Sequence, residues 1–262
     1  MTTSIAEPVR DDRAAVDKAI SLLAAFGEHA GTGIGVSELA RRAQLSKSTA
    51  FRVLGMLERN GVVERIGTGY RLGARLQQLG QAVCSPEHEQ IRDLLLPFLT
   101  DLYELTRHTV HLGALHGTDV VYLAKLYGHR TIAAPSKIGG RLPAHCTAVG
   151  KVLLAYHSHT AAQALTTPLS ALTPHTIVDP ARLTDQLTGI RSTGIAHDAQ
   201  ESRLGLSCLA APVFDHRGRV LAALSVAGPS GRLETHRLET SLRQICASAT
   251  QMMARTQLPR RP

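Results

Sequence analysis

Cysteine is scarce in this chain and scattered: Cys84, Cys146, Cys208 and Cys246 form no CxxC pair, and the charged start MTTSIAEPVRDDRAAVDK leads us to expect no secretory leader. A disulfide framework is excluded on that count, and reduced thiols in a cytoplasmic protein are expected. Long apolar runs are missing too. No stretch approaches the ~18 to 20 consecutive apolar residues that a membrane span needs, so no membrane partner is expected. Two catalytic signatures are absent: the GxSxG nucleophile elbow and the zinc-binding HExxH. His108, His111 and His116 fall on a predicted strand where His108 and His111 point to opposite faces, and His157 and His159 have no carboxylate companion. No metal site and no cofactor are assigned.

What is present is a chain of 262 residues with 44% hydrophobic content, enough to build cores for two modest domains. A formal charge of +8 and an isoelectric point near 9.7 favour an acidic partner, nucleic acid or an anionic surface. The basic residues are concentrated. Residues 37–75 hold eight Lys and Arg against three Asp and Glu.

That segment reads as a nucleic-acid reader. Between 15 and 26, Val16, Ala19, Ile20, Leu23 and Phe26 recur at helical spacing and predict one buried face. After a glycine-rich loop at 31–35, Ser37 is placed to cap a short helix, SELARRA. Gln44, Leu45 and Ser46 make a tight turn, and Ser46 caps a third helix, KSTAFRVLGMLERN. Ala50, Val53, Leu54 and Leu57 form its inward stripe, leaving Ser48, Arg52, Gly55 and Arg59 outward. Hydroxyls and guanidiniums there suit phosphate oxygens and the acceptor edge of guanine in a major groove. Lys47 and Thr49 flank the helix start, where free backbone N–H groups also favour a phosphate. A hairpin follows, 62–66 and 70–72, turned at Gly67-Thr68-Gly69, and places Arg65 and Arg71 on a wing. The predicted DNA contacts are Ser46, Lys47, Ser48, Thr49, Arg52, Arg59, Arg65 and Arg71.

The ordered runs VDKAISLLAAF, VSELARRAQLSKSTAFRVLGMLERNGVVER and GYRLGARLQQLG resemble the DNA-binding half of the isocitrate lyase regulator (IclR) family. The resemblance continues through IGGRLPAHCTAVGKVLLAY and DAQESRLGLSCLAAPVFDHRGRVLAALSVAGP. It implies a homodimer or tetramer on double-stranded operator DNA, with a linker helix positioning two readers. The expected division is 13–75 for the winged helix-turn-helix, 76–86 for the linker helix and 87–258 for an effector-binding domain. Leu76 and Leu79 share one side of that linker, and Ser85-Pro86 breaks it.

In the larger part, apolar spacing predicts a helix over 91–105 and another over 233–255. Hairpins are predicted at 109–115 with 120–126 and at 208–214 with 220–227. The fold class is therefore α+β, an antiparallel sheet with flanking helices, and the resemblance implies a GAF-like form. Gly139, Gly140 and Pro143 predict irregular chain, after which Cys146-Thr147 open a helix. Its first N–H groups, at Ala148 and Val149, would form a cup for an anion such as a carboxylate.

By resemblance, the polar effector contacts fall on Ala148, Val149, Asp198, Cys208, Ser225 and Ala227, with Ala134, Leu142 and Leu206 as an apolar wall. Family members that bind small oxo-acids carry Gly-Ala at Ala148-Val149 and Ser at Ala227. The departure predicts a less polar pocket and a more apolar acid. Leu221, Ala223, Ser225 and Ala227 are expected on one strand face. Each site residue also has a plainer reading: Ser225 as a core serine, Cys208 as a small buried hydrophobe, Asp198 as a turn former or helix cap. His145 is either a donor to the ligand or a structural histidine. Two other classes compete: an architectural DNA-binding protein with a structural C-terminal domain, and a thiol-dependent enzyme built on Cys208, His145 and Asp198. The sequence favours an effector-modulated transcriptional regulator without catalysis.

Overall fold

The computed structural model describes residues 14–27, 30–83, 85–129 and 134–256. It divides into two compact units, 1–84 and 85–262.

The first unit runs α1 (Ala15–Ala25), β1 (Ile34–Gly35), α2 (Val36–Arg42), α3 (Lys47–Arg59), β2 (Val63–Ile66), β3 (Gly69–Leu72) and α4 (Ala74–Val83). Its core gathers Leu22, Phe26, Leu39, Ala40, Ala50, Val53, Leu54, Val63 and Tyr70. The stripe predicted on α1 needs correcting, because Val16 and Ile20 are 70% and 60% exposed. The inward line runs Ala19, Leu22, Leu23, Phe26, an i, i+3, i+4, i+7 set that leaves Ile20 well round the helix. Ser37 is also not a cap. Ile34 and Gly35 pair antiparallel with Tyr70 and Gly69, so extended Gly35 is the N-cap and Ser37 lies inside the first turn.

Gln44, at φ +55°, ends α2 in the left-handed region, and Leu45 N–H returns to the Ala40 carbonyl at 2.9 Å. Ser46 then caps α3 as expected, its hydroxyl accepting from Thr49 N–H at 3.2 Å. The wing closes through Gly67 and Thr68, with Ile66 opposite Gly69 and Gly67 at φ +54°. Gly73 must be glycine, since a β-carbon there would overlap the Gly61 carbonyl where Gly73 N–H bonds Val62.

The second unit holds α5 (Pro86–Thr106), β4 (Thr109–His116), β5 (Asp119–Leu126), β6 (Arg141–Pro143), α6 (Ala148–Tyr156), α7 (Ser158–Ala164), α8 (Pro180–Thr193), β7 (Ala196–Ala199), β8 (Leu206–Phe214), β9 (Val220–Pro229) and α9 (Thr235–Arg255). The strands form one antiparallel sheet in the order β6-β5-β4-β9-β8-β7. Helices α5 and α9 cover one face through Leu95, Leu99, Leu242 and Ala249, packed on Leu112, Leu224 and Val226. On the other face α6 and α8 pack Val149, Val152, Leu153, Leu183 and Leu187 against Val120, Ala210 and Ala223.

Three local expectations change. Arg141–Pro143 is not irregular: it is β6, an edge strand paired with β5, a place where a proline's missing donor is harmless. Cys146 closes a 3-10 turn (Ala144–Cys146), and Thr147 alone caps α6, accepting from Gly150 N–H at 2.9 Å. Leu221 leaves the face of Ala223 and Ser225, because the register shifts between Val213 and Phe214 and Leu221 turns toward the α5–α9 side.

Candidate DNA interface and effector site

On α3 most of the predicted readers lie outside the packed stripe. Lys47, Ser48, Arg52 and Arg59 are exposed and Thr49 is half-buried. The hydroxyls are not all at liberty. Ser46 Oγ joins Thr49 Oγ1 at 2.8 Å and Ser48 Oγ at 3.1 Å, which keeps the first turn of α3 rigid. Lys47, Arg52 and Arg59 make no ion pair among the described residues. The wing arginines differ from each other. Arg71 is held by Glu64 at 2.7 Å, whereas Arg65 only lies over the Tyr70 ring, 5.8 Å from its centroid. Arg41 and Arg42 share Glu38, which holds that carboxyl down at about 2. The unneutralised positive charge of this surface thus lies on Lys47, Arg52, Arg59 and Arg65. Phe51, 53% exposed on the same helix, was not anticipated; its position off the buried stripe was the available signal.

In the second unit, Ala134, Leu142, Ala148, Val149, Asp198, Leu206, Cys208 and Ser225 come together around a cavity of about 20 Å³, hardly more than one water. Every predicted effector residue is on this wall except two. His145, in the 3-10 turn, turns away and donates from Nε2 to the Ser170 carbonyl at 3.0 Å, which is the structural role. Ala227 lies beyond the cavity, between Thr109 and Cys208 across the sheet. His111, Tyr122, Pro135, Ser136, Thr147 and Ser202 also line it and were missed. Strand alternation from Leu112 could have placed His111; Ser136 comes from a loop and had no signal. A larger open groove of about 770 Å³, between the start of α5, α7 and the β8–β9 turn, contains none of the predicted residues.

The cavity's floor is the start of α6. Gly150 N–H is capped by Thr147 Oγ1 and Lys151 N–H bonds the Thr147 carbonyl, so Ala148 and Val149 present N–H groups that no preceding turn can satisfy. Gly150 is required, since a β-carbon would overlap Ala144 of the 3-10 turn packed on it. Asp198 of β7 takes the turn-former role read as its alternative: it accepts from Glu201 N–H at 2.7 Å and Ser202 Oγ at 2.6 Å. Burial nonetheless pushes its carboxyl up to about 6. That turn is tied to α6 by a fully buried pair, Lys151 Nζ to Glu201 Oε1 at 2.5 Å, with Gln186 Oε1 at 3.0 Å. Glu201 Oε2 has no partner among the described residues.

Burial also governs the thiols. Cys208 is pushed well above the ordinary thiol range and Cys146 up to about 12, and Tyr122 is raised, so all three are neutral in the fold. A nucleophilic cysteine requires the opposite shift. His145, committed to Ser170, cannot serve Cys208 as a base in this arrangement.

A family model for the IclR helix-turn-helix domain matches residues 15–67, and one described as bacterial transcriptional regulator IclR, C-terminal, matches residues 85–254. The chain is 34% identical over 234 residues to the HTH-type transcriptional regulator XynR of Escherichia coli K12, covering 88% of this chain and 92% of that one. It is 36% identical over 226 residues to KdgR of Dickeya chrysanthemi, covering 85% and 73%. Among solved structures, the IclR of Thermotoga maritima superposes with a TM-score of 0.73 at 30% identity, covering 92% of this chain and 97% of that one. An IclR homolog of Microbacterium hydrocarbonoxydans complexed with 4-hydroxybenzoate gives 0.72 at 26% identity, covering 93% and 100%. The two family models match the two units in turn, and the chain belongs to the IclR family of DNA-binding transcriptional regulators.

Proposed function

We propose that this regulator binds a pseudo-palindromic operator as a homodimer or dimer of dimers, and that a small carboxylic acid in the cavity at the start of α6 sets its affinity for that DNA. It acts in the cytoplasm and without catalysis. The observation that carries the effector reading is the pairing of Ala148 and Val149 N–H groups with a sheet-backed wall of buried Asp198 and Ser225 and half-buried Cys208. Alanine and valine at the helix start favour an acid with an apolar body, and the relative bound to 4-hydroxybenzoate supports the same class. At about 20 Å³ the cavity is too small for any such acid, so binding must displace part of its wall. That displacement is the means by which the second unit would act on the first, through a coupling of about 1 to 3 kcal/mol.

The reader would dock α3 in the major groove, with Lys47, Arg52 and Arg59 toward the duplex and Arg65 at the backbone. Ser46 and Thr49 hold that helix start by their mutual bonds, and Arg71 acts only if Glu64 releases it. The test is to select operator fragments from random duplexes with the purified protein and titrate one of them by fluorescence anisotropy with and without the acid. An acid that changes affinity severalfold supports the reading. Operator binding indifferent to every acid that binds would reduce the second unit to a structural role.

A further inference from the structure

One row across the sheet carries more polarity than a cavity wall requires. Lys125 of β5 lies opposite His111 of β4, and His111 opposite Ser225 of β9. His111 and Ser225 line the cavity, and the loop residue Ser136 lies beside them. Lys125 Nζ donates to the Ser136 carbonyl at 2.8 Å and to Ser136 Oγ at 3.1 Å. Ser136 Oγ meets His111 Nε2 at 2.8 Å, and His111 Nδ1 meets Ser225 Oγ at 3.2 Å. Lys125 is only 7% exposed, and no carboxylate faces it among the described residues; Tyr127, its other neighbour, offers a ring 4.7 Å away.

The direction of this chain follows from its end. An ammonium can only donate, so Ser136 Oγ is an acceptor on that side. Positive charge beside Ser136 favours a ring lone pair, not an N–H, on the nitrogen that faces it. Ser136 therefore donates to Nε2, the ring proton sits on Nδ1, and Nδ1–H donates to Ser225 Oγ. Burial and the Lys125 charge both keep the imidazole neutral, holding it down at about 3. The remaining hydrogen of Ser225 has no acceptor among the described residues, and Ser225 lines the cavity.

We propose that Lys125, Ser136 and His111 are positioning residues: their relay holds His111 as the Nδ1–H tautomer and makes the Ser225 hydroxyl a donor into the cavity, so this wall selects a carboxylate or keto oxygen and disfavours an amine. Only the choice of ligand rests on the effector reading above; the tautomer does not.

The full-length protein labelled with 15N-histidine tests the relay directly. Long-range proton–nitrogen correlation, assigned by loss of the signal in His111→Gln, is expected to show a neutral ring protonated at Nδ1 and not titrating between pH 8 and pH 5. Lys125→Met is expected to mix in the Nε2–H form, and Ser136→Ala to do the same. A ring protonated at Nε2 in the unaltered protein, or a tautomer insensitive to Lys125→Met, overturns the proposal. With 4-hydroxybenzoate as probe in calorimetry, each variant should bind about tenfold more weakly, the loss of roughly one oriented hydrogen bond. Equal binding in the variants overturns selection by the relay. No binding to the unaltered protein instead sinks the carboxylic-acid reading, and the histidine spectra then decide the relay alone.

Discussion

Arg52 stands on the outer face of α3 with no carboxylate beside it, about two helical turns from Arg59. A guanidinium left unneutralised in the free protein is available to phosphate or guanine, and its removal should weaken operator binding by about 1 to 3 kcal/mol. Arg52→Ala is accordingly expected to lose operator affinity in an anisotropy titration while its melting temperature stays at the parental value. A simultaneous loss of folding would mean that the residue is structural. Lys151 is the contrasting case, a charge with no access to solvent. Lys151→Met leaves Glu201 buried and unpaired and should destabilise the fold by about 3 to 5 kcal/mol in urea unfolding, whereas Lys151→Met with Glu201→Leu should recover most of that loss.

His111 links the cavity wall to pH. Its folded-state pKa is depressed to about 3 from an ordinary 6.5, so the unfolded chain binds the proton first. Stability from this group is fully present above pH 6.5 and is lost as pH falls toward 3. Asp198 works in the opposite sense: its pKa is raised to about 6 from 3.8, so the folded state is favoured below 3.8 and this contribution disappears as pH rises through 6. Thermal unfolding between pH 7 and pH 5 should therefore fall less steeply in His111→Gln than in the parent. Parallel curves would show that His111 is not the neutral, buried group described here.

At the scale of elements, α3 and α6 were legible to different degrees. The reader is local: Ser46, the Ala50–Val53–Leu54 stripe and the glycine turn of the wing all act within a few residues, and the structure has them as read. The reading slipped on α1, where Val16 and Ile20 are exposed, and at Ser37, where pairing of Ile34 and Gly35 with β3 put the cap two residues earlier, at Gly35. The cavity is non-local. Ala148 and Val149 could be found from the helix start and His111 from strand alternation, but Ser136 enters from a loop, and the meeting of His111 with Lys125 and Ser225 is set by cross-strand register, which no single segment encodes. The bulge at Leu221 shows the same limit. Helix α8, with Asp179 as its cap, Pro180 at its first position and Gly194 at its end, carried ordinary signals that went unread. Gly150 fixes where α6 may lie. Gly150→Ala should separate the helix from the 3-10 turn, and it is expected to cost about 1 to 3 kcal/mol of stability in urea unfolding and to abolish acid binding. Acid binding at parental strength in that variant would place the ligand elsewhere.

For the whole molecule, two units with separate cores divide the work that a regulator must couple, one presenting unpaired positive charge and the other a small, sheet-backed cavity. The central claim is that a carboxylic acid occupies that cavity. The most direct measurement is thermal unfolding of the full chain against 4-hydroxybenzoate, benzoate and pyruvate, in the parent and in Ser225→Ala. A ligand at a hundred times its dissociation constant adds about 2.7 kcal/mol to the folded state. The parent should melt higher with an aromatic acid than with pyruvate, and the variant should lose most of that gain. No rise with any acid, or the same rise in both proteins, would contradict the account.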